Sequence, residues 1–334
     1  MGRARTGPSA RPGRAPRAAA VPPIGASLAH GLDTVGSSPP LLVGSFLAVF
    51  VLWLLYSALG SLLVVSPGFI SMILAVPPLS SLLDLQFVVA STRLFDPTTT
   101  LLLAAVLVLL RAWFTAMLIG LVIARQRNDA AEPSGGWRSS VRSAARVPPR
   151  TLLAMSSLLI FLAAAWSFLS SLGQILGFIG ALAAIVLEMF FLGLAPVVAV
   201  AEGQGMVATL RLGIRAGRLQ GSQLLRLLGP YVFVSIILFE APGLRFAHAS
   251  PSVLDWGFAL LVTFLHVSML AVLAYRWQAI RTEVLDAEEE SAASRRSGAR
   301  RGAVRIRRPG ARRRTPTIVG GDHSIEGGPS SQDG

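Results

Sequence analysis

The chain of 334 residues contains no cysteine and no lysine; all thirty of its basic residues are arginine. Without cysteine there are no disulfides, thiolate metal sites or thiol nucleophiles. Without lysine there is neither a Walker-type phosphate-binding lysine nor Schiff-base chemistry. Charge itself is scarce, at 14% of residues against 53% hydrophobic, where a soluble domain carries about 25% charged residues. Mean hydropathy is correspondingly positive, at +0.62. Catalytic constellations are missing too. The four histidines (His30, His248, His266, His323) have no metal-ligand spacing, there is no Gly-x-Ser-x-Gly elbow, and the one dense acidic run, Glu288-Glu289-Glu290, reads as a solvated helix end or linker. No catalytic residue, metal or cofactor is expected, and the sequence gives no sign of an enzyme.

What the sequence has instead is long apolar runs. A membrane-crossing helix needs about 20 predominantly apolar residues, because the hydrocarbon core is about 30 Å thick and each residue rises 1.5 Å. Residues 41–65, 101–124, 151–172, 178–201 and 254–275 meet that requirement. A sixth run, 224–241, is shorter and is interrupted by Gly229-Pro230. Arginine placement argues for counting it. Arg residues gather on the cytoplasmic side of membranes. Here they fill the N-terminal segment (Arg3 to Arg17), the segment after the second run (Arg125 to Arg150), the segment after the fourth (Arg211 to Arg226) and the C-terminal tail. The alternate connections hold only Arg93 and Arg245. Six spans put every basic segment on one side; five or seven would not.

The expected fold is therefore all-α: a polytopic transmembrane helical bundle of about six spans in the cytoplasmic (inner) membrane of a bacterium, with both termini cytoplasmic. Residues 1–40 are read as a basic, disordered N-terminus, with an interfacial helix suggested by Ile24, Leu28, Leu32 and Val35 and ended by Pro39-Pro40. The first apolar run starts too late and is too long for a cleavable signal. Residues 41–280 form the membrane domain, and 281–334 a charged, disordered tail. Residues 66–100, with Pro77-Pro78 between two short apolar pieces, are read as an extracytoplasmic connection with a helix near 79–94. The net charge of +13 lies where topology requires it, so the anticipated partners are the bilayer, anionic lipid in particular, and a membrane or cytoplasmic protein, with nucleic acid disfavoured. Ten arginines within 295–314 would draw such a tail to anionic surfaces, and phosphorylation of Thr315 or Thr317 would weaken the attraction.

Two groups of residues carry a cost or a pattern. Arg111, Glu188 and His266 lie deep within apolar runs, where an unpartnered charge costs roughly 2.5 kcal/mol or more. Counted from the outer ends of their runs they sit at about 15, 15 and 18 Å, so Arg111 and Glu188 are expected to pair with His266 nearby. That cluster is either a strut fixing helix register or a polar step on a solute path. The second group follows the fourth run: Met206, Leu210, Gly213, Ile214, Gly217, Gly221, Leu224, Leu225 and Leu228 form a seam at helical spacing, flanked by Arg211, Arg215 and Arg218. Basic residues beside an apolar face suit a lipid-facing interfacial helix, and the Gly213/Gly217/Gly221 spacing permits close packing.

Pro196-Val197-Val198, then Glu202-Gly203-Gln204-Gly205, Leu210-Arg211, Ile214-Arg215 and Arg218 resemble the membrane domain of glycerophosphoryl diester phosphodiesterases and related six-helix bacterial modules. The resemblance covers about residues 24–280. It departs from the pattern at Leu212 and Gly213, where a second Arg and a Ser are usual. The resemblance implies a membrane module in which a Glu-Gly turn leads from the fourth span into an Arg-rich amphipathic helix. The phosphodiesterase catalytic domain is absent from the sequence, so no activity is implied. The function expected is a non-enzymatic membrane module that organises lipid or partner proteins, the alternative being a transporter or channel subunit built on the Arg111, Glu188 and His266 level.

Overall fold

A computed structural model describes residues 21–63, 88–130, 137–176, 186–187, 189–240 and 253–306. Among them there is no strand, and the protein is all-α. The helices are α1 (Ile24–Gly36), α2 (Pro39–Leu63), α3 (Pro97–Ala130), α4 (Trp137–Ala145), α5 (Pro149–Leu176), α6 (Ala195–Glu202), α7 (Met206–Gln220), α8 (Ser222–Glu240) and α9 (Val253–Ile306). Two described helices are long and apolar enough to cross a membrane, Pro97–Arg127 and Ala259–Glu289; a third candidate is the bent pair of α1 and the first half of α2. Pro149–Phe161 and Met189–Glu202 are apolar but shorter. Residues 1–20, 64–87, 131–136, 177–185 (the first third of the expected fourth run), Glu188, 241–252 and 307–334 lie outside the described residues.

Proline and glycine punctuate the chain. α1 and α2 meet at 83° across Ser37-Ser38, because Pro39 and Pro40 lack the N–H groups that would continue α1 yet suit the first turn of α2. Asp96 caps α3 ahead of Pro97: its Oδ2 accepts the Thr98 and Thr99 amides (2.9 and 3.2 Å) and its Oδ1 the Thr99 hydroxyl (2.6 Å). These bonds, led by the Thr99 hydroxyl, hold the Asp96 carboxyl below its usual range. Gly203 ends α6 at φ 58° and Gly221 ends α7 at φ 55°, left-handed positions that favour glycine.

α9 is the central element. From Val262 to Ile280 most residues are buried, on more than one face, as expected of a helix largely enclosed by others. The expected tail disorder beginning near 281 gives way to helix through Ile306. Trp277, Ile280 and Val284 are buried at helical spacing, and the Ala, Glu and Arg that follow are strong helix formers. The chain divides into a unit Met1–Glu288, which holds everything below, and a second, Glu289–Gly334.

The faces that α1 and α7 bury are set by small side chains. On α1 these are Ser27, Gly31, Thr34 and Val35, while Leu28 and Leu32 stay exposed. Any side chain at Gly31 would meet Val272 and the Ser268 carbonyl of α9. On α7 the buried face is Thr209, Leu212, Gly213, Ala216, Gly217 and Gln220. It shares only Gly213 and Gly217 with the seam expected from apolarity. A Cβ at Gly213 would lie 3.1 Å from the Ala195 Cβ, and one at Gly217 would overlap the Phe190 carbonyl. The close approach inferred from the glycine spacing is present at both positions.

Candidate functional site

Four side chains of α9, Arg276, Trp277, Arg281 and Glu288, tie the bundle together; of these only Glu288 stands out in the sequence, as part of a solvated end. Arg276 is fully buried. Its Nε donates to Gln220 Oε1 (2.8 Å), Nη1 to the Pro22 carbonyl (2.9 Å) and Ser27 Oγ (3.1 Å), and Nη2 to Gln223 Oε1 (3.1 Å). One guanidinium thus joins α9 to the entrance of α1 and to the α7–α8 junction, using the fork of donors that lysine lacks. Beside it, His30 of α1 packs on Tyr275 with ring centroids 4.2 Å apart.

From the next residue and from one turn further on, Glu202 receives the Trp277 indole N–H (3.2 Å) and a bidentate pair from Arg281, Nε to Oε1 at 2.6 Å and Nη2 to Oε2 at 3.0 Å. The Glu202 side chain is 6% exposed and that of Arg281 45%. A carboxylate at the C-terminal end of a helix opposes the helix dipole, so α6 needs these donors to hold it there. Beyond, Glu288 accepts a hydrogen bond from Arg211 Nη1 at 3.0 Å and forms an ion pair with Arg215 Nη1 at 2.7 Å. The Glu-Gly turn and two of its arginines therefore engage α9 instead of facing lipid alone, and Glu288 is part of a clasp where a solvated end was expected. Arg218 is exposed. Arg276, Trp277, Ile280, Arg281 and Val284 were legible as a helical stripe running past the last apolar run. Only folding shows which acids and amides they meet.

Arg111 and His266 are both buried, at 1% and 3% exposure, and Glu188 lies outside the described residues, so the expected trio is only partly placed. His266 Nδ1 pairs with the Tyr231 hydroxyl of α8, a partner the sequence reading missed. α4, an amphipathic helix inside the basic segment, docks back on α3: the Trp113 indole donates to the Ala145 carbonyl (3.1 Å), and Gly120 faces Ala144. Arg111 is thus two residues from a contact with the basic segment.

Two cavities adjoin these elements. One, of about 400 Å³, lies between α3, α4, α5 and the Glu202-Gly203 turn and is lined by Arg127, Ser140, Ser143, Arg146 and Thr151. The other, of about 370 Å³, lies between α1, α8 and α9 and is mostly apolar, with Arg226, Tyr231, His266 and Ser268 as its polar groups. Among the described residues no three His, Asp or Glu side chains come together as a metal site. No family model, curated protein or solved structure matches the chain.

Proposed function

We propose that the chain is a six-span, non-enzymatic membrane module with both ends in the cytoplasm, akin to the membrane domain of glycerophosphoryl diester phosphodiesterases. In this reading it organises lipid or partner proteins at its basic face. The observation that carries the reading is the set of charged bonds through which α9 grips α1, α6, α7 and α8: Arg276 to Gln220, Gln223 and Ser27, Arg281 to Glu202, and Glu288 to Arg211 and Arg215. Such cross-ties suit a platform whose basic surface keeps one shape. Alternating access would require some of these elements to separate. The 83° bend supports α1 as an interfacial helix beside a first span at α2. Arg111 and Glu188 serve as a register-fixing pair. Exchanging their charges in a double variant should recover stability that either single reversal loses; equal instability in all three would remove the pair.

The test uses the cysteine-free background. Single cysteines at positions 10, 134 and 322 should label only from the cytoplasmic side and those at 70 and 247 only from outside; any reversal overturns six spans. In proteoliposomes the module should add no ion or proton flux above empty vesicles. Flux that Arg111→Gln or His266→Gln abolishes would replace this reading with the transporter one.

A further inference from the structure

We propose that the cavity between α1, α8 and α9 is a binding site for one anionic phospholipid, its phosphate at Arg226 and an acyl chain inside. The proposal rests on the membrane reading above and names the ligand class that the module organises.

Of the three helices forming the cavity, α8 and α9 run antiparallel. Gln223 on α8 meets Arg276 on α9, and Tyr231 meets His266, so advancing along one helix means retreating along the other. This register orders the lining groups. Arg226 lies at the basic end, near the level of Val272. Ser268 comes next, then the Tyr231–His266 pair, and Val234 and Val262 lie farthest in. From Arg226 to Val234 is eight residues, about 12 Å of helix. The sequence of chemistry along that distance is cation, hydroxyl donor, a mutually paired tyrosine and histidine, then hydrocarbon wall. A phospholipid presents phosphate, ester carbonyl and acyl chain in the same order.

Three further features point to this occupant. The Ser268 residue is 4% exposed and its hydroxyl has no hydrogen-bond partner, an unmet donor that an ester carbonyl would satisfy. Among the exposed lining residues, Leu28, Leu32, Pro230, Val234 and Leu265 are apolar and Arg226 is the charged one, so an opening of this makeup suits a ligand that enters from the bilayer with its headgroup at Arg226. Arg226 is the one cation among the lining residues and gives the site a preference for negative headgroups. The volume, about 370 Å³, lies within the range of small-molecule sites, roughly 300–1,000 Å³, whose walls are mostly apolar with few polar groups.

The experiment uses the full chain in neutral detergent, titrated with phosphatidylglycerol or phosphatidylcholine and read by native mass spectrometry and thermal unfolding. One phosphatidylglycerol per chain should bind in preference to phosphatidylcholine. Arg226→Gln should weaken it about fivefold, the worth of one arginine at an anionic surface, and Ser268→Ala should weaken both lipids alike. Arg226→Lys should retain the preference. Arg218→Gln, an exposed arginine that does not line the cavity, should change nothing. Equal loss in Arg226→Gln and Arg218→Gln, or equal binding of the two lipids, overturns the site. Competition by inorganic phosphate overturns it in favour of a simple anion site. If Arg226→Gln does not fold, Arg226→Lys and Ser268→Ala still decide it. The cysteine map tests the membrane reading without any lipid, so a normal map with no Arg226 effect removes the lipid site and leaves the module.

Discussion

Replacing Glu202 with alanine should loosen the grip of α9 by a calculable amount. The Trp277 side chain is fully buried and its indole N–H donates to Glu202. Stranding a buried donor costs about 1–3 kcal/mol. Arg281 loses two charged bonds, but with 45% of its side chain exposed it recovers hydration, so the ion pair adds only about 0–1 kcal/mol. The sum is about 1–4 kcal/mol. Glu202→Gln, which keeps one acceptor for the indole, should cost less than half of that. Unfolding in mixed micelles with rising dodecyl sulfate, followed through the fluorescence of the six tryptophans, gives the difference. A cycle with Trp277→Phe separates the contributions: the double variant should be more stable than the two single losses added together predict. If Glu202→Ala unfolds with the parent, or the two losses simply add, the carboxylate does not hold α9 and the protein is not a cross-tied platform.

Gly217→Ala should destabilise by at least about 1–3 kcal/mol, the range for overpacking a core, because the new Cβ meets the Phe190 carbonyl; Gly229→Ala, where nothing lies within 4 Å, should be neutral or slightly stabilising in the same unfolding assay. Arg276→Lys should keep the charge but lose the fork of bonds to Gln220, Gln223, Ser27 and Pro22, freeing α1, with faster proteolysis near residue 22 as the readout. The Asp96 cap should be pH-dependent. Its carboxyl is held below the usual value, so the capping is complete above the unfolded pKa, about 3.9, and is lost as pH falls through the lower folded value. Amide exchange at Thr98 and Thr99 should quicken over that acid range in the parent and stay flat in Asp96→Asn.

The helices at the expected runs were legible because length and apolarity are local properties. α2, α3, α5 and α8 each begin within four residues of the run that predicts them. The α1 helix was legible from the spacing of Ile24, Leu28, Leu32 and Val35, but its packed face was not. The helices that approach most closely do so through Ser27, Gly31, Gly213, Ala216 and Gly217, because small residues let backbones meet, while apolarity does not distinguish lipid from protein as a neighbour. α4 was hidden by reading the 125–150 segment only as charge, though Trp137, Val141 and Ala144 recur at helical spacing. Of the motif residues, the Glu202-Gly203 turn was legible as a turn, but its partners lie more than 70 positions away. No local pattern encodes such a pairing.

That separation also has a temporal side. Glu202 emerges from the ribosome 75 residues before Trp277, and Arg211 emerges 77 before Glu288. At 5–20 residues per second the early members wait about 4–15 s for the helix that satisfies them. Until α9 is made, the Glu202 carboxylate and the Gln220 amide oxygen lack the donors that satisfy them in the finished fold. A nascent chain stalled before Arg276 should therefore be recognised as incomplete by quality-control proteases, and one released a few turns later should not. The α9 helix thus satisfies, late in synthesis, charges laid down 75 or more residues earlier.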